Sequence, residues 1–175
     1  NTSQFLSTSL VNIRNETETM VDNVNASLAS IAEFNKRIQS NTGTMSNSDL
    51  MDQRDQLIAD LSRMVGLTAN FKADGTAMVF IDNFPAVQDG THRTFEYGED
   101  ANGRPQLFLA TNSGQVEVTS GLRGHMGGKL TAYDAAQSFL TDMDTFVTDF
   151  ATTMNTQHAS GFDLNGTAGG DFFSF

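Results

Sequence analysis

Residues 130–158 read LTAYDAAQSFLTDMDTFVTDFATTMNTQH, and this stretch decides the fold. Its apolar members Tyr133, Ala136, Leu140, Met143, Val147, Phe150 and Met154 recur in steps of three and four. That is the a/d spacing of a helical bundle or coiled-coil seam. Phe139 and Phe146 stand one residue before seam positions and widen the stripe. At a rise of ~1.5 Å per residue the segment makes a rod roughly 40 Å or more long. Its other face carries Thr141, Asp142, Asp144, Thr145, Thr148, Asp149, Thr152 and Thr153. Such a helix needs a partner of similar length.

The chain supplies one near its other end. From Ser3 to Gln39 the apolar residues Leu6, Leu10, Ile13, Met20, Val21, Val24, Leu28, Ile31 and Ile38 follow the same spacing, with Thr17 and Asn35 filling the gaps. Two steps of four run together between Ile13 and Val21, which locally unwinds a heptad seam. Ser40 to Ser48, rich in Asn, Gly and hydroxyl residues, reads as a turn. Asn47 or Ser48 can cap the next helix, and Ser46 with Asp49 has the spacing of a capping box. Helix two runs to Val65 with Leu50, Arg54, Leu57, Ile58, Leu61, Met64 and Val65 on one side, and Gly66 closes it. The first two helices are expected to form an antiparallel pair.

After Gly66 the period changes to two. Leu67–Phe71, Ala77–Ile81, Arg93–Tyr97, Gln106–Ala110 and Gln115–Thr119 read as strands, and Pro85–Gln88 as a weaker one. Asp74-Gly75, Asp82-Asn83, Asp89-Gly90, Asn102-Gly103 and Ser113-Gly114 punctuate them as hairpin turns do. A small antiparallel sandwich or barrel is expected, leaning on the helices because so short a segment buries little by itself. Glycines 121, 124, 127 and 128 then lead into the third helix. The expected fold is α+β: a bundle of three long, coiled-coil-like helices with a small antiparallel β domain between helices two and three. The corresponding units are residues 1–66 with 124–175, and residues 67–123.

Composition excludes more than it identifies. The 175 residues carry a net charge of −11, against nucleic acid and against anionic membrane surfaces. Cysteine is absent, so disulfide and thiolate chemistry are ruled out. No run of apolar residues is long enough to span a membrane. The helical pattern is under way by Phe5, so the sequence reads as cut from a longer protein. His92, His125 and His158 are scattered without the spacing of a zinc site. No nucleophile elbow or phosphate loop exists. Asp163, Asn165 and Asp171 lack the alternation of a calcium loop and read as turn residues. No catalytic residue, cofactor or metal is therefore expected. Asp52, Arg54 and Asp55 form the densest charge cluster on a helix. Arg54 shares the apolar face and is expected to bury its stem and pair with a carboxylate from another element, as a helix–helix tether.

Residues 47–58, reading NSDLMDQRDQLI, resemble the D-L-x-D-Q-R-D-x-L helix of the flagellar hook-associated protein 1 family. Val65-Gly66-Leu67, Gly127-Gly128-Lys129-Leu130 and the run Phe150, Asn155, His158, Gly161, Asp163, Gly166, Phe172, Phe173 are similar to further family segments in the same order. The likeness is weakest from Asn83 to Ser120. It implies a structural part of the bacterial flagellum, exported unfolded and placed as a ring of packed subunits between hook and filament. The implied partners are further copies, the subunits on the hook and filament sides, and the export machinery. The implied location is extracellular. The family's terminal assembly helices have no counterpart here, so a monomer in solution is expected. Asp52, Arg54, Asp55, Leu140, Val147, Phe150, Asn155 and His158 are the structural or interface candidates. A related axial protein such as flagellin, or a secreted adhesin, are the alternatives. The adhesin would require Phe84, Phe95, Tyr97 and Phe108 to line one exposed patch.

Overall fold

The computed structural model describes residues 2–40 and 46–174. Helix α1 spans Thr2–Ser40 and α2 spans Asn47–Val65. The strands are β1 Thr68–Phe71, β2 Ala77–Ile81, β3 Phe84–Gln88, β4 Thr91–His92, β5 Phe95–Glu99, β6 Pro105–Thr111 and β7 Gly114–Glu117. A single 3₁₀ turn, Thr119–Gly121, precedes α3, Gly124–Ala159. Three helices with an antiparallel β region between the second and third are thus observed, as expected.

Helix α1 buries Leu10, Thr17, Val21, Val24, Leu28, Ile31, Ala32, Asn35 and Ile38, the stripe its spacing dictates. Thr17 is tolerated inside because its hydroxyl donates to the Ile13 carbonyl at 2.7 Å. The expected turn between α1 and α2 falls largely on residues 41–45, outside the described residues. The cap of α2 is Ser46 rather than Asn47 or Ser48: its hydroxyl accepts from the Asp49 amide at 3.2 Å. Asn47 and Ser48 already lie inside the first turn, where their side chains cannot serve the amides ahead of them. Gly66 ends the helix at φ 66°, its amide donating to Ser62 at 2.9 Å.

The β region is two antiparallel meanders, β1-β2-β3-β4 and β5-β6-β7. Asp82-Asn83 and Asp89-Gly90 turn with positive φ at both residues, as two-residue hairpins require. Asp100-Ala101-Asn102-Gly103 builds a longer loop: the Asp carboxylate accepts the Asn102 and Arg104 amides, and Gly103 donates to the Asp100 carbonyl. β4 was not expected, and β5 starts two residues later than the spacing suggested. Arg93 and Thr94 instead join the sheets: the Arg93 amide donates to Ala86, and the Ala110 amide to Thr94, each at 2.8 Å. One continuous core gathers Val24, Leu28, Ile31, Ile58 and Leu61 from the helices with Val79, Ile81, Phe95, Leu107 and Leu109 from the strands.

Two asparagines of α1 fasten that core. Asn35 donates to the Ala77 carbonyl at 2.7 Å and accepts the Ala77 amide at 3.0 Å. Asn25 does the same to Phe95, both bonds at 2.8 Å. Each amide side chain imitates a neighbouring strand and meets groups that burial would otherwise leave unpaired.

Helix α3 starts at Gly124, earlier than the glycine-rich approach suggested, and takes Gly127 and Gly128 into its first turns. A Cβ at Gly127 would stand 2.6 Å from the Leu122 carbonyl oxygen, so the close approach needs a residue without one. The Arg123 amide donates to Val65 at 2.8 Å, setting the start of α3 beside the end of α2. Lys129 pairs with Glu16 of α1. Four residues on, the Tyr133 hydroxyl donates to Gly103 at 2.8 Å, beside the Arg14 guanidinium. Those contacts run in opposite order along α1 and α3, so the helices are antiparallel.

Candidate packing face

The seam expected from Tyr133 to Met154 is only partly buried. Met126, Leu130 and Tyr133 are buried, and Ala136, Leu140 and Met143 are half-buried. Val147, Phe150 and Met154 are exposed, as are Phe139 and Phe146. The antiparallel register supplies the reason. With Glu16 opposite Lys129, Thr2 falls opposite Met143, the furthest point along α3 that the described residues of α1 reach.

Beyond that point, among the described residues, the segment after the helix gives the cover. Ser160 to Ser174 folds back, with a single bridge between Phe162 and Ala168. Its first turn, Asp163-Leu164-Asn165-Gly166, repeats the bonding of Asp100–Gly103. The Asp163 carboxylate accepts the Asn165 and Thr167 amides at 2.8 Å, and Gly166 donates to the Asp163 carbonyl at 3.0 Å. Those bonds, led by Thr167, hold the Asp163 carboxyl below its usual range. Its Oδ1 is therefore committed to a turn.

Asn155 then anchors the return. Its carbonyl oxygen accepts the amides of Phe172 at 2.8 Å and Phe173 at 2.7 Å, and its NH₂ donates to the Phe173 carbonyl at 2.7 Å. His158 Nδ1 lies 2.6 Å from the Gly170 carbonyl, so that nitrogen carries the proton and donates. The aromatic rings follow one another along the helix. Phe146 stacks on Phe150 at 6.4 Å, Phe150 meets Phe173 at 6.0 Å, Phe173 meets Phe172 edge-on at 5.1 Å, and Phe172 meets His158 at 5.7 Å. Such offset and edge-to-face pairs are each worth about 0.5–1.5 kcal/mol beyond their buried area.

The candidate residues therefore fall into two places. Leu140, Val147, Phe150, Asn155 and His158 share the outer half of α3. Asp52, Arg54 and Asp55 lie on α2, where Arg54 reaches the β1–β2 hairpin. Arg54 is buried: Nε and Nη2 donate to Asp55 Oδ1 at 2.9 and 2.7 Å, Nη1 donates to the Gly75 carbonyl, and the head sits 5.3 Å over the Phe71 ring. The carboxylate expected from another element is thus the adjacent Asp55. The tether joins helix to hairpin instead of helix to helix, because the long stem lets the guanidinium fold back on its own turn. Asp52 is exposed.

Nothing among the described residues gathers three or more His, Asp or Glu as a metal site would. A cavity of about 210 Å³ between the end of α2 and the β2–β3 turn is bordered by Thr68, Asp82 and Arg123 but by no histidine. The aromatic patch required of an adhesin does not form. Phe95 is fully buried, Tyr97 shares its face, Phe108 pairs with Glu96 on the opposite face, and Phe84 stands in the other sheet. Phe172 and Phe173, together with the clamps at Asn25 and Asn35, are what periodicity missed as contacts. For Asn35 the available signal was an amide residue at a stripe position, which demands a partner; Asn25 stands outside that stripe and gave no such signal.

The model of the flagellar hook-associated protein FlgK helical domain matches residues 1–173. Flagellar hook-associated protein 1 of Escherichia coli K12 is 33% identical over 165 residues, 88% of this chain and 30% of that protein. The protein of that name from Salmonella typhimurium is 32% identical over the same span, and that from Bacillus subtilis 27% identical over 208 residues, covering 41% of its length. The chain thus spans less than half of these relatives. The flagellar hook junction protein FlgK from Burkholderia pseudomallei has a similar fold, with a TM-score of 0.79 at 24% identity, over 98% of this chain and 33% of that one. With nearly its whole length matched, the chain belongs to the FlgK helical-domain family of flagellar hook-associated proteins.

Proposed function

We propose that this chain is a structural part of the junction between flagellar hook and filament, working by packing against identical and related subunits and not by catalysis. The observation that carries the reading is the uncovered apolar half of α3 on an otherwise well-packed helical body. A contiguous apolar strip on a soluble surface marks a contact. In this reading residues 1–66 and 124–175 form the body that packs along the flagellum, and residues 67–123 form a unit facing outward. The asparagine clamps and the helix–hairpin tether of Arg54 keep that unit at a fixed angle. Asp52, Arg54 and Asp55 then act by fixing internal geometry, while Leu140, Val147 and Phe150 meet neighbours. The protein works outside the cell, and a chain without cysteine suits export as an unfolded polypeptide.

The test is genetic and visual. Cells lacking the full-length protein should assemble hooks that carry no filament, and a copy with Val147→Asp and Phe150→Asp should be exported without restoring filaments. Normal filaments in the deletion strain would refute the reading.

A further inference from the structure

Two asparagine–glycine steps sit in turns of the same construction, Asp100–Arg104 and Asp163–Thr167. In each, the aspartate carboxylate accepts the amides two and four residues on, and the glycine amide donates to the aspartate carbonyl at 3.0 Å. Both asparagines are exposed, and the glycines share a positive φ, 74° at Gly103 and 79° at Gly166. The dipeptide has a reactivity of its own. When the glycine nitrogen leaves its hydrogen bond and attacks the asparagine Cγ, an N–Cγ bond forms, and the proton of that nitrogen departs with the side-chain NH₂ as ammonia. Water then opens the resulting succinimide at either carbonyl, leaving aspartate or a β-linked isoaspartate. Glycine permits the attack because no Cβ stands in the way. With the chemistry equal at both steps, the rate follows how often each turn opens.

The two turns differ in what holds them shut. The Gly103 carbonyl accepts the Tyr133 hydroxyl at 2.8 Å, and a Cβ on that glycine would stand 2.9 Å from the Arg14 guanidinium. Its neighbour Arg104 is ion-paired with Asp134 of α3. The aspartate–glycine steps at Asp74 and Asp89, which close the same ring with loss of water, are pressed likewise: Gly75 by Met51 and Arg54, Gly90 by Lys36. At Gly166, among the described residues, nothing lies within 4 Å of such a Cβ. Beyond the shared bonds, that turn rests on the Phe162–Ala168 bridge and the bond from the Gly169 amide to Gly161. We propose that Asn165 is a site of spontaneous deamidation, while side chains of α1 and α3 hold the matching step at Asn102 shut. The product unsettles its own turn. It sets a second carboxylate near that of Asp163, and the β-linked form adds a main-chain carbon that moves the Gly166 and Thr167 amides off their acceptors.

The test ages the full-length protein in mildly alkaline buffer and maps its peptides by mass spectrometry, with isoaspartyl methyltransferase labelling the β-linked product. In the folded protein Asn165 should convert about tenfold or more faster than Asn102, whereas in urea the two should convert at like rates. Asn165→Gln should abolish the label at that position. Tyr133→Phe should speed conversion of Asn102 and leave Asn165 unchanged; Arg14→Met, at a less buried position, serves as a second variant. An Asn165 as intact as Asn102, a preference that persists in urea, or an Asn102 rate indifferent to both variants would overturn the proposal.

Discussion

Three asparagines set the positions of three segments that are distant in sequence. Asn25, Asn35 and Asn155 each use both ends of the amide on main-chain groups of another element. Asn35 and Ala77 are fully buried, so losing the side chain strands a donor and an acceptor where no water reaches. Asn35→Ala should cost about 2–4 kcal/mol in urea unfolding, and Asn25→Ala less, because its site is only part-buried. Equal losses would contradict this ranking. Periodicity placed Asn35 in the buried stripe but could not name its partner, which lies 42 residues on. Arg54 was legible in the same limited sense. Its four-residue spacing to Leu50 and Ile58 put the stem on the apolar face, while the partner depended on how a flexible head folds back onto Asp55.

At the scale of elements, α3 divides into a half that is buried and a half that is not. Heptad spacing reports which face is apolar; it says nothing of how far a neighbouring helix reaches, and this is why one seam was expected where two environments exist. The segment after α3 rests on Asn155 and a row of rings, with most of its residues exposed. Asn155→Ala should therefore make residues 160–174 sensitive to brief proteolysis and speed their amide exchange, with little change in global melting. A large fall in melting temperature would place that segment in the core. On its inner half α3 is tied to the β5–β6 loop by Arg104, whose Nε and Nη2 donate to Asp134 at 2.6 and 2.8 Å. Arg104 holds the Asp134 carboxyl below its ordinary 3.8. A carboxylate lowered on folding stabilises fully above its unfolded value, and that part is lost as pH falls through the folded one. Denaturant unfolding from about pH 5 to 2 should therefore show a shallower loss for Asp134→Asn. The dependence that remains should come from Asp74, Asp89 and Asp163, lowered likewise.

Over the whole molecule, helices and strands share one core, so they are expected to melt together. Leu107 of β6 is fully buried in that cluster. Leu107→Ala should cost about 2–5 kcal/mol and lower the helical far-UV midpoint by as much as the near-UV signal of Tyr97 and Tyr133. Separate midpoints would show that the β region unfolds alone. The order helix, helix, β region, helix was readable from the change of period at Gly66 and the return after Gly128. The arrangement as two meanders was not, because Arg93 and Thr94 look like strand residues yet carry the chain from one sheet to the next. The clamps on Ala77 and Phe95 grip only N–H and C=O, groups that nineteen of the twenty amino acids present alike. The angle between rod and sheets is thus indifferent to which side chains those two strand positions bear, provided they fit the space, and proline is the one replacement that would unfasten either clamp by chemistry alone.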